Sequence, residues 1–294
     1  MTRHRTTARS ILAAAVLAGL AAWTATAAAA VPPLIFPVVG ATTYTNDFGA
    51  PRGQGVHQGN DLMAAKRTPV VAVEPGTVEF WTTSARAGCM LYLHGTSGTT
   101  YLYIHLNNDK TLRNDNTGGC KQGVSFAPGL KSGATVEAGE LVGFVGDSGD
   151  ADGIASHLHF EVHPKGRGAV SPYPHLQKAK RLLFAAAQGS PFTLALNGTV
   201  VQANDGSLEL DVASLTRYPG RQRISKVGRT VELAVPPETA VFNPLGALIA
   251  AAKLATAVTG QKAQVWTARA ETTLAAQLGM PLMMSTQKIL LRAS

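Results

Sequence analysis

Residues 157–163 read His-Leu-His-Phe-Glu-Val-His. On an extended strand successive side chains face opposite ways. Leu158, Phe160 and Val162 therefore form an apolar stripe suited to a core, while His157, His159, Glu161 and His163 share the other face. The same two-residue period predicts more strands upstream. Residues 70–73 and 77–81 read as two strands joined tightly through Glu74-Pro75-Gly76. Residues 90–94 and 99–105 read as a hairpin around Gly95-Thr96-Ser97-Gly98. Its second arm is expected to carry Tyr101, Tyr103 and His105 on one face and Leu102 and Ile104 on the other. Residues 141–145 form a short strand after the turn at Ala138-Gly139. Between these strands, residues 50–55 read as a loop that leads His57 and Asp61 into a strand. Residues 107–132 read as a polar surface loop, and residues 146–153 as a glycine- and aspartate-rich turn. That turn lacks the helix and Lys-Ser/Thr of a phosphate loop, and the bidentate Glu and spacing of a calcium loop.

Downstream, residues 178–185 (Lys-Ala-Lys-Arg-Leu-Leu-Phe-Ala) read as a short basic linker or helix. Alternation resumes at Phe192, Leu194 and Leu196. It continues through Leu208, Leu210 and Val212 to Val231, Leu233 and Val235, with turn signals at Asn197-Gly198 and Asn204-Asp205-Gly206. This pattern predicts a small β-barrel or sandwich, with one helix over residues 247–258. The expected fold class is mainly β: an antiparallel-sheet unit at residues 31–185, then a small mainly-β unit of unknown function at residues 190–294.

The first thirty residues change the picture of location. Arg3, Arg5 and Arg9 precede an apolar run from Ile11 to Trp23, and Ala28-Ala29-Ala30 supplies a small-residue cleavage pattern. This is read as a secretory signal peptide, leaving no transmembrane anchor after cleavage. The chain has 26 basic and 18 acidic side chains; losing those three arginines leaves 23 and 18, a net charge of +5. Such a balance suits an anionic wall or membrane surface. Nucleic acid is not an expected partner, because export and the lack of a binding motif argue against it. Cys89 and Cys120, both exported, are expected to pair, closing a loop of about thirty residues that contributes roughly 3–4 kcal/mol. Arg217, Arg221, Arg223, Lys226 and Arg229 surround Tyr218-Pro219-Gly220. They read first as a solvated loop and second as a contact for an anionic cell-wall polymer.

The candidate chemistry lies in five residues: His57, Asp61, His105, His157 and His159. Imidazole is both the commonest metal ligand and the usual base near neutral pH. Zinc in catalytic sites takes three protein ligands and keeps one position open, and it lowers the pKa of bound water toward neutrality. Two histidines and a carboxylate satisfy that requirement, and two histidines remain for proton transfer and oxyanion stabilisation. The chemistry suits amide hydrolysis.

His57-Gln58-Gly59-Asn60-Asp61 resembles the His-x-Gly-x-Asp motif of the lysostaphin-type (M23, LytM-like) zinc metalloendopeptidases. Tyr103-Ile104-His105-Leu106 resembles that family's Tyr-x-His-Leu segment, and residues 156–161 its His-Leu-His-Phe-Glu strand. Residues 48–52 and 136–143 are similar to its lead-in and to the turn before its active strand. The resemblance spans about residues 36–176, roughly half the chain. It implies Zn2+ held by His57, Asp61 and His159, with His105 and His157 as catalytic histidines. It further implies a secreted, cell-wall-associated hydrolase acting on peptide stems or cross-bridges of peptidoglycan. Some members carry a tyrosine shortly before the first ligand to bind the oxyanion; here Arg52 stands in that stretch, either as its substitute or in a structural salt bridge. Some are blocked by a long N-terminal segment, for which cleavage near Ala30 leaves little room. The alternative reading is an inactive wall-binding relative or an activator of another hydrolase. Such relatives lack metal or catalytic positions, whereas all five are present here. His94, His163 and His175 are expected to be structural.

Overall fold

The computed structural model describes residues 31–293 apart from 54, 166, 257 and 258; of residues 255 and 256 only the backbone is described. The signal-peptide reading at residues 1–30 lies outside the described residues. No helix among them is long and apolar enough to cross a membrane. The chain is mainly β, in antiparallel sheets, as the alternation indicated.

The first half contains β1 (Pro51–Arg52), β2 (Gly55–Val56), β3 (Asn60–Met63), β4 (Pro69–Val71), β5 (Gly76–Ser84), β6 (Gly88–Gly95), β7 (Thr100–Leu106), β8 (Thr135–Val136), β9 (Leu141–Phe144) and β10 (His157–His163). Six of these form one antiparallel sheet in the order β3-β10-β7-β6-β5-β8. The central strand β10 pairs His159 with Asp61 of β3 on one side and with Ile104 of β7 on the other. Leu158, Phe160 and Val162 are fully buried, as the stripe predicted, beside Leu62, Tyr101 and Tyr103. The Tyr103 hydroxyl accepts a hydrogen bond from the Val73 amide, so this core tyrosine leaves no orphaned polar group.

Three local expectations are corrected. Residues 70–73 and 77–81 are strands, but they do not pair with each other. β4 pairs with β9, while β5 pairs with β6 and β8. Within the stretch read as a loop, β1 and β2 pair antiparallel, Pro51 with Val56 and Arg52 with Gly55. The long segment after β7 is not confined to the surface. Asn107, Asp109, Ser125 and Phe126 are buried, and Phe126 stacks on Phe80 with centroids 3.8 Å apart. Cys120 in this segment is joined to Cys89, with Cα atoms 5.1 Å apart.

After the short helix α1 (Tyr173–Lys178), residues 182–186 form neither helix nor strand and are buried among the apolar residues of the second half. The basic linker or helix expected at residues 178–185 is therefore corrected: Leu182, Leu183 and Phe184 are core residues, and only the preceding basic positions reach solvent. The second half comprises β11 (Pro191–Asn204), β12 (Ser207–Tyr218), β13 (Gln222–Ala234), β14 (Ala240–Phe242), β15 (Leu248–Ile249), β16 (Lys262–Thr267), β17 (Ala270–Glu271), α2 (Leu274–Gln277) and β18 (Thr286–Leu291). β11 to β18 form a sheet ordered β13-β12-β11-β16-β18-β14-β15, with β17 on the end of β11; only the β14–β18 pairing is parallel. Asp205-Gly206 makes the expected turn. Asn197-Gly198 does not: it sits within β11 at a register shift, where a Cβ on Gly198 would meet the Asp211 carbonyl at 2.1 Å. The helix expected over residues 247–258 is a short 3-10 segment, Ala251–Thr256, preceded by β15.

Buried Phe126 anchors the long segment between β7 and β8. Phe126→Ala is expected to lower unfolding free energy by about 3 kcal/mol in a urea titration. A loss within experimental error would mean that the segment is not held through this stack.

Candidate active site

The site is a groove of about 640 Å³ over the β3-β10-β7 face, lined by Arg52, His57, Asp61, His105, His157 and His159 among others. β10 delivers His157, His159 and Glu161 to the same face by simple alternation. Asp61 arrives from the register partner on β3. Gly59 explains the close approach of the two chains: a Cβ there would lie 2.4 Å from the Phe160 carbonyl and 2.8 Å from His159 Nε2. The glycine between His57 and Asp61 is thus required by sterics.

His105 reaches the groove by a different device. Strict alternation places it with Tyr101 and Tyr103, which face the core. Instead, Ile104 and His105 together oppose Met90, because the register shifts between Cys89–Leu106 and Leu91–Tyr103. This β-bulge puts His105 in the left-handed region at φ 61° and turns both Ile104 and His105 toward the groove. The expected sharing of a face by His105 and the two tyrosines is corrected accordingly.

His57 Nε2, Asp61 Oδ1 and His159 Nδ1 form a triangle with edges of 3.1, 3.0 and 2.9 Å. Ligands 2.0–2.1 Å from a tetrahedral ion stand about 3.3 Å apart. The three donors therefore need to open by only a few tenths of an ångström to hold a cation, and they are of the nitrogen and oxygen types that such an ion takes. No other group of three His, Cys, Asp or Glu side chains among the described residues offers this geometry. His157 Nε2 stands 3.8 Å from Asp61 Oδ1, and the His105 and His157 rings have centroids 5.1 Å apart. All five residues singled out in the sequence thus meet in one groove.

Each ring is oriented from behind. A carbonyl can only accept, so His57 Nδ1–H donates to the Asp47 carbonyl at 3.0 Å. Likewise His105 Nδ1–H donates to the Ser148 carbonyl at 2.8 Å, and His157 Nδ1–H to the Ala155 carbonyl at 2.9 Å. In each case Nε2 is left for the groove. His159 is reversed: Nε2 bonds Glu161 at 3.0 Å and Nδ1 faces Asp61. Glu161 also takes His163 Nε2 at 2.6 Å.

These contacts set the charges. Burial raises the Asp61 carboxyl, but hydrogen bonds from His159 and His57 outweigh it and hold the group well below the usual carboxylate range. Burial lowers His159, yet its bonds to Asp61 and Glu161 prevail and raise it to about 9. Burial, with the neighbouring His157, lowers His105 to about 4, so it is neutral at physiological pH. The arrangement offers a three-donor cation site with a neutral imidazole beside it.

Sequence reasoning gave Glu161 no role, although strand alternation placed it on the histidine face. It also left Arg52 open between oxyanion contact and salt bridge. Arg52 donates to Asp61 Oδ2 at 2.8 Å. His163 bonds Glu161 rather than the groove centre. His94 pairs with Glu79 at the surface, and His175 lies in α1.

Gly59→Ala is expected to displace the His159 ring and weaken divalent-cation binding about tenfold or more, with the protein still folded. Unchanged affinity would show that the strands can part without disturbing the donors.

Residues 55–117 match the model of peptidase family M23. An L-Ala–D-Glu endopeptidase of Bacillus subtilis (strain 168) is 30% identical over 150 residues, covering 47% of this chain and 41% of its own length. A DD-carboxypeptidase/endopeptidase, Mpg, of Neisseria meningitidis serogroup B is 29% identical over 136 residues, covering 45% of this chain and 26% of its own. The solved catalytic domain of the antimicrobial peptidase lysostaphin from Staphylococcus simulans is 25% identical, covering 46% of this chain and 92% of that one, with a TM-score of 0.36. The chain spans less than half the length of the curated relatives named here. Over the half that carries the groove, this chain resembles peptidase family M23.

Proposed function

We propose that this chain is a secreted, cell-wall-associated zinc endopeptidase that hydrolyses peptide stems or cross-bridges of bacterial peptidoglycan. Residues 31–185 form its peptidase unit and residues 190–294 a second unit. The observation that carries the reading is the triangle of His57, Asp61 and His159 donors in an open groove, with His105 and His157 facing the same space. The curated relatives whose names state peptide-bond cleavage support it.

His57, Asp61 and His159 hold the zinc in this proposal. When bound, the ion supplies Lewis acidity and makes water a competent nucleophile near neutral pH. His105 and His157 line the groove with the Nε2 lone pair available, one to take up a proton and the other, once protonated, to donate its Nε2–H toward the developing oxyanion. His105, whose Nδ1–H donates to the Ser148 carbonyl, presents its Nε2 lone pair to the groove as a proton acceptor. Arg52 keeps Asp61 Oδ2 engaged, which leaves Oδ1 as the oxygen that would hold the cation.

The mature protein is expected to release peptide fragments from isolated peptidoglycan, to lose that activity to a chelator and to regain it with zinc, as read by mass spectrometry. His105→Ala and His159→Ala should each reduce hydrolysis by at least about 100-fold, while only His159→Ala loses zinc. Stoichiometric zinc in His159→Ala would remove the ligand assignment. Intact wall across several wall chemistries, with zinc bound, would move the reading to a binding or activator role.

Metal uptake should also move a proton. With its pKa raised to about 9, His159 is protonated at pH 7 in the metal-free protein, whereas a ligand must be neutral. Zinc binding is therefore expected to expel close to one proton at neutral pH and to weaken about tenfold for each pH unit below 9. Calorimetry in buffers of different ionisation enthalpy reads this directly. No proton release would place His159 outside the donor set.

A further inference from the structure

A second cavity, of about 590 Å³, opens where the turn between β12 and β13 meets the segment joining β3 to β4, and it shares no lining residue with the histidine groove. Lys66, Arg67, Arg217 and Arg223 line it, and among the described residues no Asp or Glu does. Lys66 is occupied by Asp109 and Asp147. The three guanidinium groups have no carboxylate partner among the described residues. Arg67 donates only to the carbonyls of Lys110 and Gly123. The Arg217 Nε is buried and has no hydrogen-bond partner among the described residues. Arg229, counted with this basic group in the sequence, is spent internally on the carbonyls of Arg181 and Leu278.

Arg217 is half-buried, and a partly desolvated guanidinium with a buried, unpartnered N–H is unfavourable unless something supplies the anion. Burial already lowers the Arg217 pKa, in keeping with an uncompensated charge. Guanidinium groups match tetrahedral oxyanions with paired N–H donors, and a cavity of this size admits a ligand of several residues' or sugars' bulk rather than a lone ion. We propose that this cleft binds the phosphodiester groups of an anionic wall polymer through Arg217, Arg223 and Arg67. It would hold the enzyme on the wall independently of the peptide groove. That the polymer belongs to the wall rests on the proposed function; the anion specificity of the cleft does not.

The test uses the full mature chain with a synthetic poly(glycerol phosphate) oligomer and, separately, inorganic phosphate. Amide chemical shifts of the wild type should move at Gly40, Gly123 and Gly220 on adding the oligomer, a readout that needs no variant. Arg217→Gln with Arg223→Gln should weaken oligomer binding at least tenfold while cleavage of a short soluble peptidoglycan peptide is unchanged. Arg223 is exposed, so Arg223→Gln alone should fold normally and still weaken binding severalfold. Shifts confined to other surfaces, variant affinity within twofold of wild type, or binding of inorganic phosphate without the oligomer would each overturn the proposal. Oligomer binding by a protein that cleaves no peptide would leave the cleft standing and sink the peptidase reading instead.

Discussion

The groove depends on the binding of ring N–H groups to acceptors behind them. An imidazole has two similar nitrogens, and without a partner either can carry the proton. Here the carbonyls of Asp47, Ser148 and Ala155 fix His57, His105 and His157 with the lone pair toward the centre. Those carbonyls lie on loops, so the loops must be as rigid as the strands. Ser148 shows how this is achieved. Its hydroxyl donates to the Leu106 carbonyl and accepts from the Cys89 amide, tying its loop to the strands flanking the bulge. Lys66 bridges Asp147 of that loop to Asp109 of the segment that follows β7. Gly146 and Gly149 lie where side chains would strike the Asn107 backbone and the Arg86 carbonyl.

What the sequence made legible follows from which features are local. His157, His159 and Glu161 share a face because alternation is a property of any strand, and Gly59 was visible as the punctuation between two donors. The apolar alternation of β11, β12 and β13 was legible for the same reason, with Asp205-Gly206 marking one turn, whereas Asn197-Gly198, expected as another, lies inside β11. The pairing of β4 with β9 was not, because a three-residue strand carries no record of its partner and Glu74-Pro75-Gly76 looks like a hairpin whichever strands it joins. Residues 182–186 were misread since Lys178, Lys180 and Arg181 dominate the composition, while the burial of Leu182 to Phe184 is decided by contacts with the distant second half.

His105 is the instructive case. A bulge with a left-handed residue usually announces itself by glycine at that position. This one places His105 there, so the residues alone predict a regular strand with His105 on the face of Tyr101 and Tyr103. The cost of the left-handed backbone is offset locally: the His105 amide bonds the Ala87 carbonyl and its ring bonds Ser148. Strain of this kind is retained where a side chain must be aimed. Had β7 continued in register, the ring would enter the core beside Tyr103, with a polar nitrogen to satisfy there.

Carboxylates are plentiful around the cluster, yet only one oxygen is offered to its centre. Asp47 accepts from the Asn60 side chain and stands near Arg52, which turns it away. Asp61 gives Oδ2 to Arg52 and keeps Oδ1 beside the two imidazoles. Glu161 lies behind His159 and is engaged by that ring and by His163. Its own pKa, which burial would raise, is lowered to about 2 by those two histidines, so it accepts from the His159 Nε2–H throughout the physiological range. The donor set of two nitrogens and one oxygen is therefore imposed by the groups around the cluster. Removing any of them would add a competing oxygen or free a ring to turn. A cation with three donors fixed in this way keeps room for a further ligand, and that room faces His105 and His157 across the open groove.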